Sequence, residues 1–321
     1  MISIILGGAG FVGTNLIGRL IQEGQTVVVL DNFSRGQKEY SSRFIKSNNF
    51  HIFECEASSF DNLHNSFSLV AKLGGIDEVW HLAANSDIPA GVNDPCVDFK
   101  DTFLTTFELL RVMKIFEIKK VHFASSSAIY GNLGDITLHE SVGPLLPISN
   151  YGAMKLASEG LISAAAESFL NKANIFRFPN VVGVPATHGV LLDFIMKLKK
   201  NPSRLDVLGD GTQQKAYLHV SDLVDAMLVV SKRADAAKVE VINIGPVDEG
   251  VTVDWISRQV VKRVSPDAKI LFGTGNRGWV GDVPKFTYST EKLQSYGWKP
   301  ELNSADAIKC AIDEIALQFG K

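Results

Sequence analysis

The chain has 321 residues, of which 45% are hydrophobic and 21% are charged, a composition that supports a sizeable core and excludes a disordered protein. Its 32 lysines and arginines are balanced by 35 aspartates and glutamates, and the sequence contains no basic block, which argues against nucleic acid as a partner. Cys55, Cys96 and Cys310 are too few and too widely spaced for a disulfide framework, and no apolar run reaches the ~20 residues of a membrane span. The sequence therefore predicts a cytoplasmic globular protein without a membrane partner.

Two kinds of hydrophobic pattern alternate in the first half of the chain. Continuously apolar short runs are typical of strands buried on both faces of a parallel sheet. The pattern predicts strands at residues 2–6, 26–30, 51–54, 78–82, 120–125 and 174–178, and helices at residues 14–23, 97–116 and 151–169. One face of the second helix is expected to carry Phe99, Phe103, Phe107, Leu110 and Met113. This order predicts an α/β fold with a Rossmann-like, doubly wound parallel sheet.

After residue 178 the regular alternation ends, because prolines and glycines shorten the elements. Helices are predicted near residues 191–199, 253–264 and 304–319, and a strand at residues 241–244. We predict an NAD-binding Rossmann domain at residues 1–178, with returns to its sheet near residues 220–245. Residues 179–321 are predicted to form a smaller, irregular C-terminal lobe that binds the substrate.

The glycine-rich segment GGAGFVG, residues 7–13, lies between the first predicted strand and the first predicted helix. A dinucleotide-binding loop needs glycines in this setting, because the backbone must turn tightly and approach a pyrophosphate without an intervening Cβ. Asp31 ends the second strand, where its carboxylate can bind the hydroxyls of the adenosine ribose and would repel a 2′-phosphate. The sequence therefore favours NAD over NADP as cofactor, although Arg35 leaves NADP open.

Polar residues in two segments have the spacing of an acid–base site. Tyr151 and Lys155 are four residues apart in a predicted helix, so both side chains lie on one face. A neighbouring ammonium favours the phenolate form of a tyrosine, which is otherwise a poor base at neutral pH. The serine cluster at residues 125–127 ends the fifth strand, at the edge where doubly wound sheets bind ligands. One of its hydroxyls can hold a substrate oxygen against the phenol.

Over its whole length the chain resembles the extended short-chain dehydrogenase/reductases, and among them the nucleotide-sugar epimerases and dehydratases. The resemblance rests on GGAGFVG (7–13), LDN (30–32), HLAA (81–84), SSSAIYG (125–131), YGAMK (151–155), RFPNVVG (177–183), GDGTQQKAYLHVSD (209–222) and RGWVGDVP (277–284). It implies that Ser126, Tyr151 and Lys155 are catalytic. Tyr151 would be the acid–base residue, and Lys155 would hold the nicotinamide ribose.

The resemblance also implies two sets of binding residues. Those for NAD are Gly7, Gly10, Phe11, Val12, Gly13, Asp31, Asn32, Ser34, Gly36, Glu56, Ala57, Leu82, Ala83, Ala84, Ser125, Tyr151, Lys155 and Phe178. Those for a UDP-sugar are Ser86, Ser126, Ser127, Tyr151, Asn180, Val190, Val207, Lys215, Tyr217, Arg277, Asp282 and Phe286. The family usually has an arginine at the position of Lys215, so this chain loses a bidentate contact with the diphosphate there. Arg277 is the second expected diphosphate ligand.

The residues after Ser126 favour one reaction within the family. Related 4,6-dehydratases carry an Asp–Glu pair there and related decarboxylases carry a glutamate, whereas Ser127 and Ala128 cannot act as a general acid or base. The resemblance therefore implies NAD-dependent epimerisation at carbon 4 of a UDP-sugar, through a transient 4-ketone. A large residue at the position of Phe286 favours UDP-glucose and UDP-galactose over N-acetylated sugars, and a 6-carboxylate sugar stays open. A nucleotide-sugar 4-keto reductase, a dehydratase and a non-catalytic NAD sensor are the alternatives.

Two further expectations concern assembly and metals. In the family, the helices equivalent to residues 97–116 and 151–169 pair across a two-fold axis as a four-helix bundle, so the resemblance implies a homodimer. His81, His122 and His219 are isolated in the sequence and lack metal-ligand spacing, so no metal is expected.

Overall fold

Two compact units make up the chain in the computed structural model, which describes residues 1–134, 136–234, 237–275 and 287–320. The first unit comprises Met1–Gly131, Leu145–Arg177 and Met227–Ile242, and the second comprises Asn132–Pro144, Phe178–Ala226 and Asn243–Lys321. In the described ranges, no helix combines the length and the apolar character that crossing a bilayer requires.

The elements follow one another as short strands and helices. The strands are β1 (Ile2–Leu6), β2 (Thr26–Asp31), β3 (Phe50–Glu54), β4 (Ile76–His81), β5 (Lys120–Ser126), β6 (Thr137–Leu138), β7 (Lys172–Phe178), β8 (Asn180–Val182), β9 (Arg204–Val207), β10 (Gln214–Lys215), β11 (Tyr217–His219), β12 (Val239–Asn243), β13 (Val251–Thr252), β14 (Lys269–Phe272) and β15 (Thr287–Tyr288). The α-helices are α1 (Phe11–Gln22), α2 (Phe60–Ala71), α3 (Ile88–Asn93), α4 (Pro95–Asp98), α5 (Thr105–Ile115), α6 (Asn150–Ser168), α7 (Val190–Lys200), α8 (Val220–Ser231), α9 (Val253–Val264), α10 (Glu291–Ser295) and α11 (Ser304–Gln318). Short 3-10 helices span Lys38–Phe44 and Ser127–Tyr130, and a π-helical segment spans Phe99–Leu104.

A seven-stranded sheet in the order β12-β7-β5-β4-β1-β2-β3 forms the centre of the first unit. β1 pairs in parallel with both β2 and β4, and the pairs β2–β3 and β4–β5 are also parallel. The predicted α/β fold with a doubly wound parallel sheet is confirmed. The strand order reverses at β1, so the carboxyl ends of β1, β2 and β4 border the crevice where such sheets bind ligands.

Continuous burial explains why these strands read as unbroken apolar runs. Every residue of β1 is buried, and Val28 and Leu30 of β2 are buried beside it. Phe67 of α2 and Val112 of α5 pack in the same core cluster. Burying one such aliphatic or aromatic side chain stabilises the fold by about 1.5–3 kcal/mol. The helices that pack on the sheet therefore stabilise it.

The helix predicted at residues 97–116 is present as α4, a π-helical segment and α5 in direct succession, and its predicted apolar residues differ in burial. The π-helical segment Phe99–Leu104 separates α4 from α5. A π-turn places one extra residue in the turn and rotates the side chains that follow relative to those before it. Phe99 and Phe107 are consequently exposed, whereas Leu110 and Met113 are buried in the core.

The second unit has its own hydrophobic core between helices and small two-stranded sheets. Phe194 of α7, Ile256 of α9 and Ile308 of α11 are buried in one cluster with Leu205 of β9. β8 pairs in parallel with β11, and β14 pairs in parallel with β9. The three helices predicted for this part of the sequence correspond to α7, α9 and α11.

Candidate active site

The glycine-rich loop joins β1 to α1 at the carboxyl edge of the sheet. Gly7 has a φ of +81°, and a Cβ on it would lie 2.5 Å from the Ala83 nitrogen, so only glycine fits at this position. Within the described chain, no side chain caps α1 and its first turn holds no acidic residue. The free N–H groups and the dipole of this helix end therefore suit a phosphate group.

The Asp31 carboxylate fastens the glycine loop to the end of β2. Its Oδ2 accepts a hydrogen bond from the Ala9 N–H at 2.9 Å, and its Oδ1 accepts one from the Phe33 N–H at 2.8 Å. Burial raises the pKa of Asp31 above its usual value, and the two backbone hydrogen bonds act in the opposite direction. Each carboxylate oxygen keeps a second lone pair, so Asp31 can still accept hydrogen bonds from ribose hydroxyls.

Charged neighbours of Asp31 form pairs of their own. The Arg35 guanidinium contacts the Asp87 carboxylate at 3.0 Å, which engages the cation that a 2′-phosphate would need. Glu56 accepts a hydrogen bond from the Asn32 amide at 3.2 Å. Burial alone would raise the pKa of Glu56, but hydrogen bonds from Ser58 and Asn32 and the nearby Lys100 ammonium hold it below its usual value. These contacts suit the unphosphorylated ribose of NAD.

The other predicted cofactor residues in the first unit lie in loops or first turns after the same strands. They are Gly10, Phe11, Val12 and Gly13 after β1, Ser34 and Gly36 after β2, Ala57 after β3, and Leu82, Ala83 and Ala84 after β4. Ser86, predicted for the substrate, follows in the same loop and is half-buried. With a helix end suited to phosphate and a carboxylate suited to ribose, this edge of the sheet fits a dinucleotide.

Ser126 and Tyr151 meet at the end of β5. The Ser126 side chain lies near enough to the Tyr151 phenol to oppose the rise in the pKa of that phenol, and the Ser126 oxygen accepts a hydrogen bond from the Ala128 N–H at 3.2 Å. Ser127, predicted to contact the substrate, begins the 3-10 helix that follows. The neighbouring Ser125 hydroxyl instead donates to the Glu159 carboxylate at 2.5 Å in the interior. Of the serine cluster, Ser126 is therefore the residue whose side chain acts on the phenol.

Lys155 lies one helical turn after Tyr151 on α6, and its side chain is buried. Its ammonium donates a hydrogen bond to the Ala124 carbonyl at 2.5 Å. The same Nζ lies 5.8 Å from the centroid of the Tyr151 ring and 4.7 Å from that of Phe123. The predicted proximity of lysine and tyrosine is present, but the ammonium is bonded to a backbone carbonyl.

The protonation state of this pair differs from the expected phenolate. Desolvation raises the pKa of Tyr151 to about 12, despite the opposing effect of the Ser126 hydrogen bond. Desolvation lowers the pKa of Lys155 to about 7, although the Glu159 and Asp98 carboxylates favour its charged form. The loss of hydration therefore affects the two pKa values more than the attraction between phenolate and ammonium does, because both charged forms lose hydration together.

Asp98 is a site residue that the sequence patterns did not reveal. Its side chain is completely buried, and its Oδ1 accepts a hydrogen bond from the Asn85 amide at 2.8 Å. Its Oδ2 accepts no hydrogen bond from the described residues. The negative charge of Asp98 raises the pKa values of both Tyr151 and Lys155. Asp98 comes from α4, far from these residues in sequence, so no local spacing could have indicated it.

The sequence analysis also did not identify a buried ion pair that lies one helical turn after Lys155. The Arg177 guanidinium contacts the Glu159 carboxylate through Nη2 at 2.8 Å and Nε at 3.1 Å, and its Nη1 donates to the Tyr130 hydroxyl at 2.9 Å. Glu159 also accepts the hydrogen bond from Ser125, so α6, β5 and β7 meet at one carboxylate. Glu159 stands one helical turn after Lys155, and that spacing is the signal that could have identified it.

The predicted substrate residues of the second unit lie on its strands and at a helix start. Asn180 of β8 is the register partner of Tyr217 of β11, and the Asn180 amide donates to the Ala216 carbonyl at 3.5 Å. Lys215 lies on β10, and Phe178 precedes β8. Val190 begins α7 and Val207 ends β9. Arg277, Asp282 and Phe286 lie outside the described residues.

Comparisons with known proteins identify relatives over the full length. The sequence model of the NAD-dependent epimerase/dehydratase family matches residues 3–245. A putative UDP-glucose 4-epimerase of Methanocaldococcus jannaschii is 27% identical over 315 residues, covering 97% of both chains. The predicted family resemblance and the predicted cofactor, NAD, are confirmed by the family match.

Solved structures agree with this result. A crystal structure of a UDP-galactose 4-epimerase is 32% identical and superposes with a TM-score of 0.85, covering 99% of both chains. A crystal structure of the UDP-glucose 4-epimerase of Thermotoga maritima with UDP-glucose is 26% identical and has a TM-score of 0.85, with 99% of this chain and 100% of that one covered. The whole fold described above is therefore shared with these enzymes.

Proposed function

The chain belongs to the NAD-dependent epimerase/dehydratase family, and we propose that it inverts carbon 4 of a UDP-sugar of the UDP-glucose/UDP-galactose type. The observation that carries the proposal is the approach of the Lys155 ammonium to 5.8 Å from the centroid of the Tyr151 ring, with the Ser126 side chain near the same phenol. A hydroxyl and a phenol that share one substrate oxygen suit proton transfer at a sugar alcohol.

In the proposed cycle, Tyr151 takes the proton of the 4-hydroxyl while Ser126 holds the same oxygen. When bound, NAD would supply the hydride acceptor for carbon 4 and the donor that restores it on the opposite face. Tyr151 then returns the proton to the oxygen of the turned ketone. Because the chemistry ends where it began, no net oxidant is consumed.

The proposed cycle requires that the surroundings of the Tyr151 phenol stabilise its ionised form. With a Tyr151 pKa of about 12, ionisation at pH 7 requires about 7 kcal/mol of further stabilisation, since one pKa unit corresponds to about 1.4 kcal/mol. A Lys155 ammonium that exchanges the Ala124 carbonyl for the phenol contributes part of it. The effect of the Ser126 side chain is already contained in the pKa of about 12.

The residues after Ser126 support epimerisation over dehydration. Ser127 and Ala128 begin a 3-10 helix next to the phenol, and neither side chain can remove a proton from carbon 5 of the sugar. A dehydratase needs such a group, so this alternative has less support than the simple return of hydride and proton.

Incubation of the purified protein with UDP-glucose or UDP-galactose, without added cofactor, tests the proposal. We expect the two epimers to reach the same equilibrium mixture from either side, and Tyr151→Phe to reduce the rate by at least a hundredfold. Stoichiometric consumption of added NADH would indicate a reductase instead. NAD retained without turnover of any nucleotide sugar would indicate an NAD sensor.

Substrate selectivity is proposed from Phe286. Its bulk beside carbon 2 of the sugar would favour UDP-glucose and UDP-galactose over their N-acetylated counterparts. We expect UDP-N-acetylglucosamine to be turned over at least tenfold more slowly than UDP-glucose. Phe286→Gly should reduce this difference between the two turnover rates. Equal rates with both sugars in the unaltered enzyme contradict this selectivity.

We also propose a homodimer and a cytoplasmic location. Phe99, Phe107 and Ile115 are exposed along the π-helical segment and α5, and covering such a face by a second copy would remove apolar surface from water. Light scattering should give the mass of a dimer, and Phe107→Glu should shift it to that of a monomer. Leu317→Glu on α11, an apolar position that is more exposed than Phe107, is the control. The cytoplasmic location is supported by cysteines that are all unpaired.

A further inference from the structure

Three side chains with metal-binding atoms meet in the second unit although they are distant in sequence. His219 ends β11, and Cys310 and Glu314 lie one helical turn apart on α11. One ligand atom from each residue lies within 4.8 Å of the other two. The expectation that no metal binds rested on the isolated sequence positions of the histidines, which do not show this cluster.

The separations in the cluster are close to those of a tetrahedral zinc site. The His219 Nε2 lies 3.2 Å from the Glu314 Oε2, and the Cys310 Sγ lies 3.8 Å from the Glu314 Oε1. Ordinary zinc bond lengths and tetrahedral angles require about 3.4 Å between the nitrogen and oxygen ligands and about 3.6 Å between sulfur and oxygen. Side-chain movements of a few tenths of an ångström would bring the nitrogen–oxygen and sulfur–oxygen distances to these values.

The second ring nitrogen of His219 has a partner that can orient it for metal binding. Its Nδ1 lies 2.8 Å from the Ser221 hydroxyl. The Ser221 backbone N–H donates to the same nitrogen at 3.3 Å, so the imidazole proton is on Nε2, where a bound cation would displace it. The contacts of Nδ1 fix the orientation of the ring, as a hydrogen bond on the second nitrogen does for histidine ligands in zinc proteins.

The charges of the cluster also favour a divalent cation. One Zn²⁺ neutralises a thiolate and a carboxylate together. Glu314 is partly exposed, so an ion can enter from solvent. Sulfur and imidazole ligands select Zn²⁺ over Mg²⁺ and Ca²⁺, which prefer oxygen.

We propose that His219, Cys310 and Glu314 bind one Zn²⁺, with a water molecule as the fourth ligand. The ion joins the end of β11 to α11, two elements of the second unit whose contact otherwise depends on packing and hydrogen bonds. Tyr217, predicted to contact the substrate, lies on the same strand as His219, so the ion fixes the strand that carries it. This inference is independent of the proposed reaction.

Titration of the chelator-treated protein with Co²⁺ and then Zn²⁺ tests the site. We expect one equivalent of Co²⁺ to produce the near-ultraviolet absorption of a thiolate–cobalt bond, and one equivalent of Zn²⁺ to abolish it. Cys310→Ser should remove the absorption and weaken Zn²⁺ binding at least tenfold. Cys96→Ser, which alters an exposed thiol elsewhere, is the matched control and should behave as the unaltered protein does.

A second measurement guards against misfolding of the cysteine variant. Glu314→Gln keeps the shape of the side chain and should also weaken Zn²⁺ binding, with the circular dichroism spectrum unchanged. Zn²⁺ should raise the Tm of the unaltered protein and of Cys96→Ser, whereas Mg²⁺ should not. The proposal is overturned if the unaltered protein gives no thiolate–cobalt absorption, or if the absorption persists in Cys310→Ser. Neither readout depends on turnover of a nucleotide sugar.

Discussion

At the scale of single residues, the site is governed by the loss of hydration around two groups that must carry charge. Tyr151 and Lys155 are each driven towards their neutral form by burial. Asp98 acts on both from α4, raising both pKa values, although its charge has no ammonium or guanidinium bonded to it among the described contacts. A buried carboxylate in this position tunes the pH range in which the phenol can work.

Asp98→Asn should move the pH–activity profile to lower pH. Removing the negative charge lowers the pKa of Tyr151, whose ionised form is proposed as the base, and also that of Lys155, whose charged form is proposed to assist. Both limbs of the kcat/KM profile should therefore shift by up to about one pH unit. The matched control is Asp101→Asn, three residues along the chain and not among the charges acting on the pair. A profile that moves to higher pH would contradict the role given to Asp98.

At the scale of elements, α6 is positioned by contacts at its N-terminus and near its middle. Ser149 caps the helix by accepting from the Gly152 N–H at 3.1 Å. Gly152 itself lies so close to the 3-10 helix after β5 that a Cβ there would be 2.5 Å from the Ala128 carbonyl oxygen. One turn beyond Lys155, Glu159 holds α6 to β7 through Arg177. The distance between Ser126 and Tyr151 depends on this placement.

Gly152→Ala should impair catalysis because the added methyl group forces α6 away from the Ala128 carbonyl. A displacement of about 1 Å at Tyr151 can cost about a hundredfold in rate, so we expect kcat to fall by one to two orders of magnitude. Gly160→Ala in the same helix meets nothing within 4 Å and should stabilise the protein by about 0.5–1 kcal/mol through helix propensity. Equal kcat values for the two variants would refute the argument from close approach.

Breaking the ion pair between α6 and β7 should be costly. Arg177→Met leaves the Glu159 carboxylate buried without its partner and should lower the free energy of unfolding by about 3–5 kcal/mol in urea titrations. Adding Glu159→Gln should recover much of that loss. Arg258→Met removes an exposed pair with Asp254 on α9 and should destabilise the protein much less than Arg177→Met does. Similar losses for the two single arginine variants would show that burial is not the deciding factor.

At the scale of the whole molecule, the central sheet contains buried ionisable groups that couple stability to pH. Glu78 accepts hydrogen bonds from Ser3, Trp80 and Lys120 and contacts His122 at 3.1 Å. Burial favours the neutral form of Glu78, but His122 and Lys120 hold its pKa far below the usual value. Burial also lowers the pKa of His81 to about 3, so that the folded protein keeps its imidazole neutral.

These shifts predict that the protein loses stability on acidification. The unfolded chain binds a proton at His81 below about pH 6.5 whereas the folded protein does not, so stability falls from that pH down to about pH 3. His81 alone should contribute a loss of about 2 kcal/mol between pH 7 and pH 5. Glu78 adds a further loss below about pH 4.3, because its folded-state pKa is depressed.

Urea unfolding at pH 7 and pH 5 measures this dependence. His81→Asn removes the titrating group and should reduce the loss between the two pH values by about 2 kcal/mol. His51→Asn, at a partly exposed position on β3, is the matched control. An identical pH dependence in His81→Asn and the unaltered protein would assign the acid sensitivity to other groups.

Local patterns predicted much of the fold and part of the site. The strands of the sheet were recognisable because burial on both faces requires continuous apolar runs. The glycine loop was recognisable because few residues other than glycine fit a tight turn before a helix. The pairing of Tyr151 with Lys155 follows from helical geometry. The helix predicted at residues 97–116 forms, but its π-helical segment was not predicted, because a π-turn is chosen by packing that distant residues provide.

The sequence by itself therefore determined the family, the sheet and the residues whose role follows from neighbours along the chain. Only the tertiary structure decided the protonation of Tyr151 and Lys155, because desolvation depends on atoms from every element around them. It also brought Asp98 to the pair, and His219 to the cysteine and glutamate of α11. Interactions at hydrogen-bond range between distant residues exist only after the chain has packed, so no spacing in the sequence can encode them in readable form.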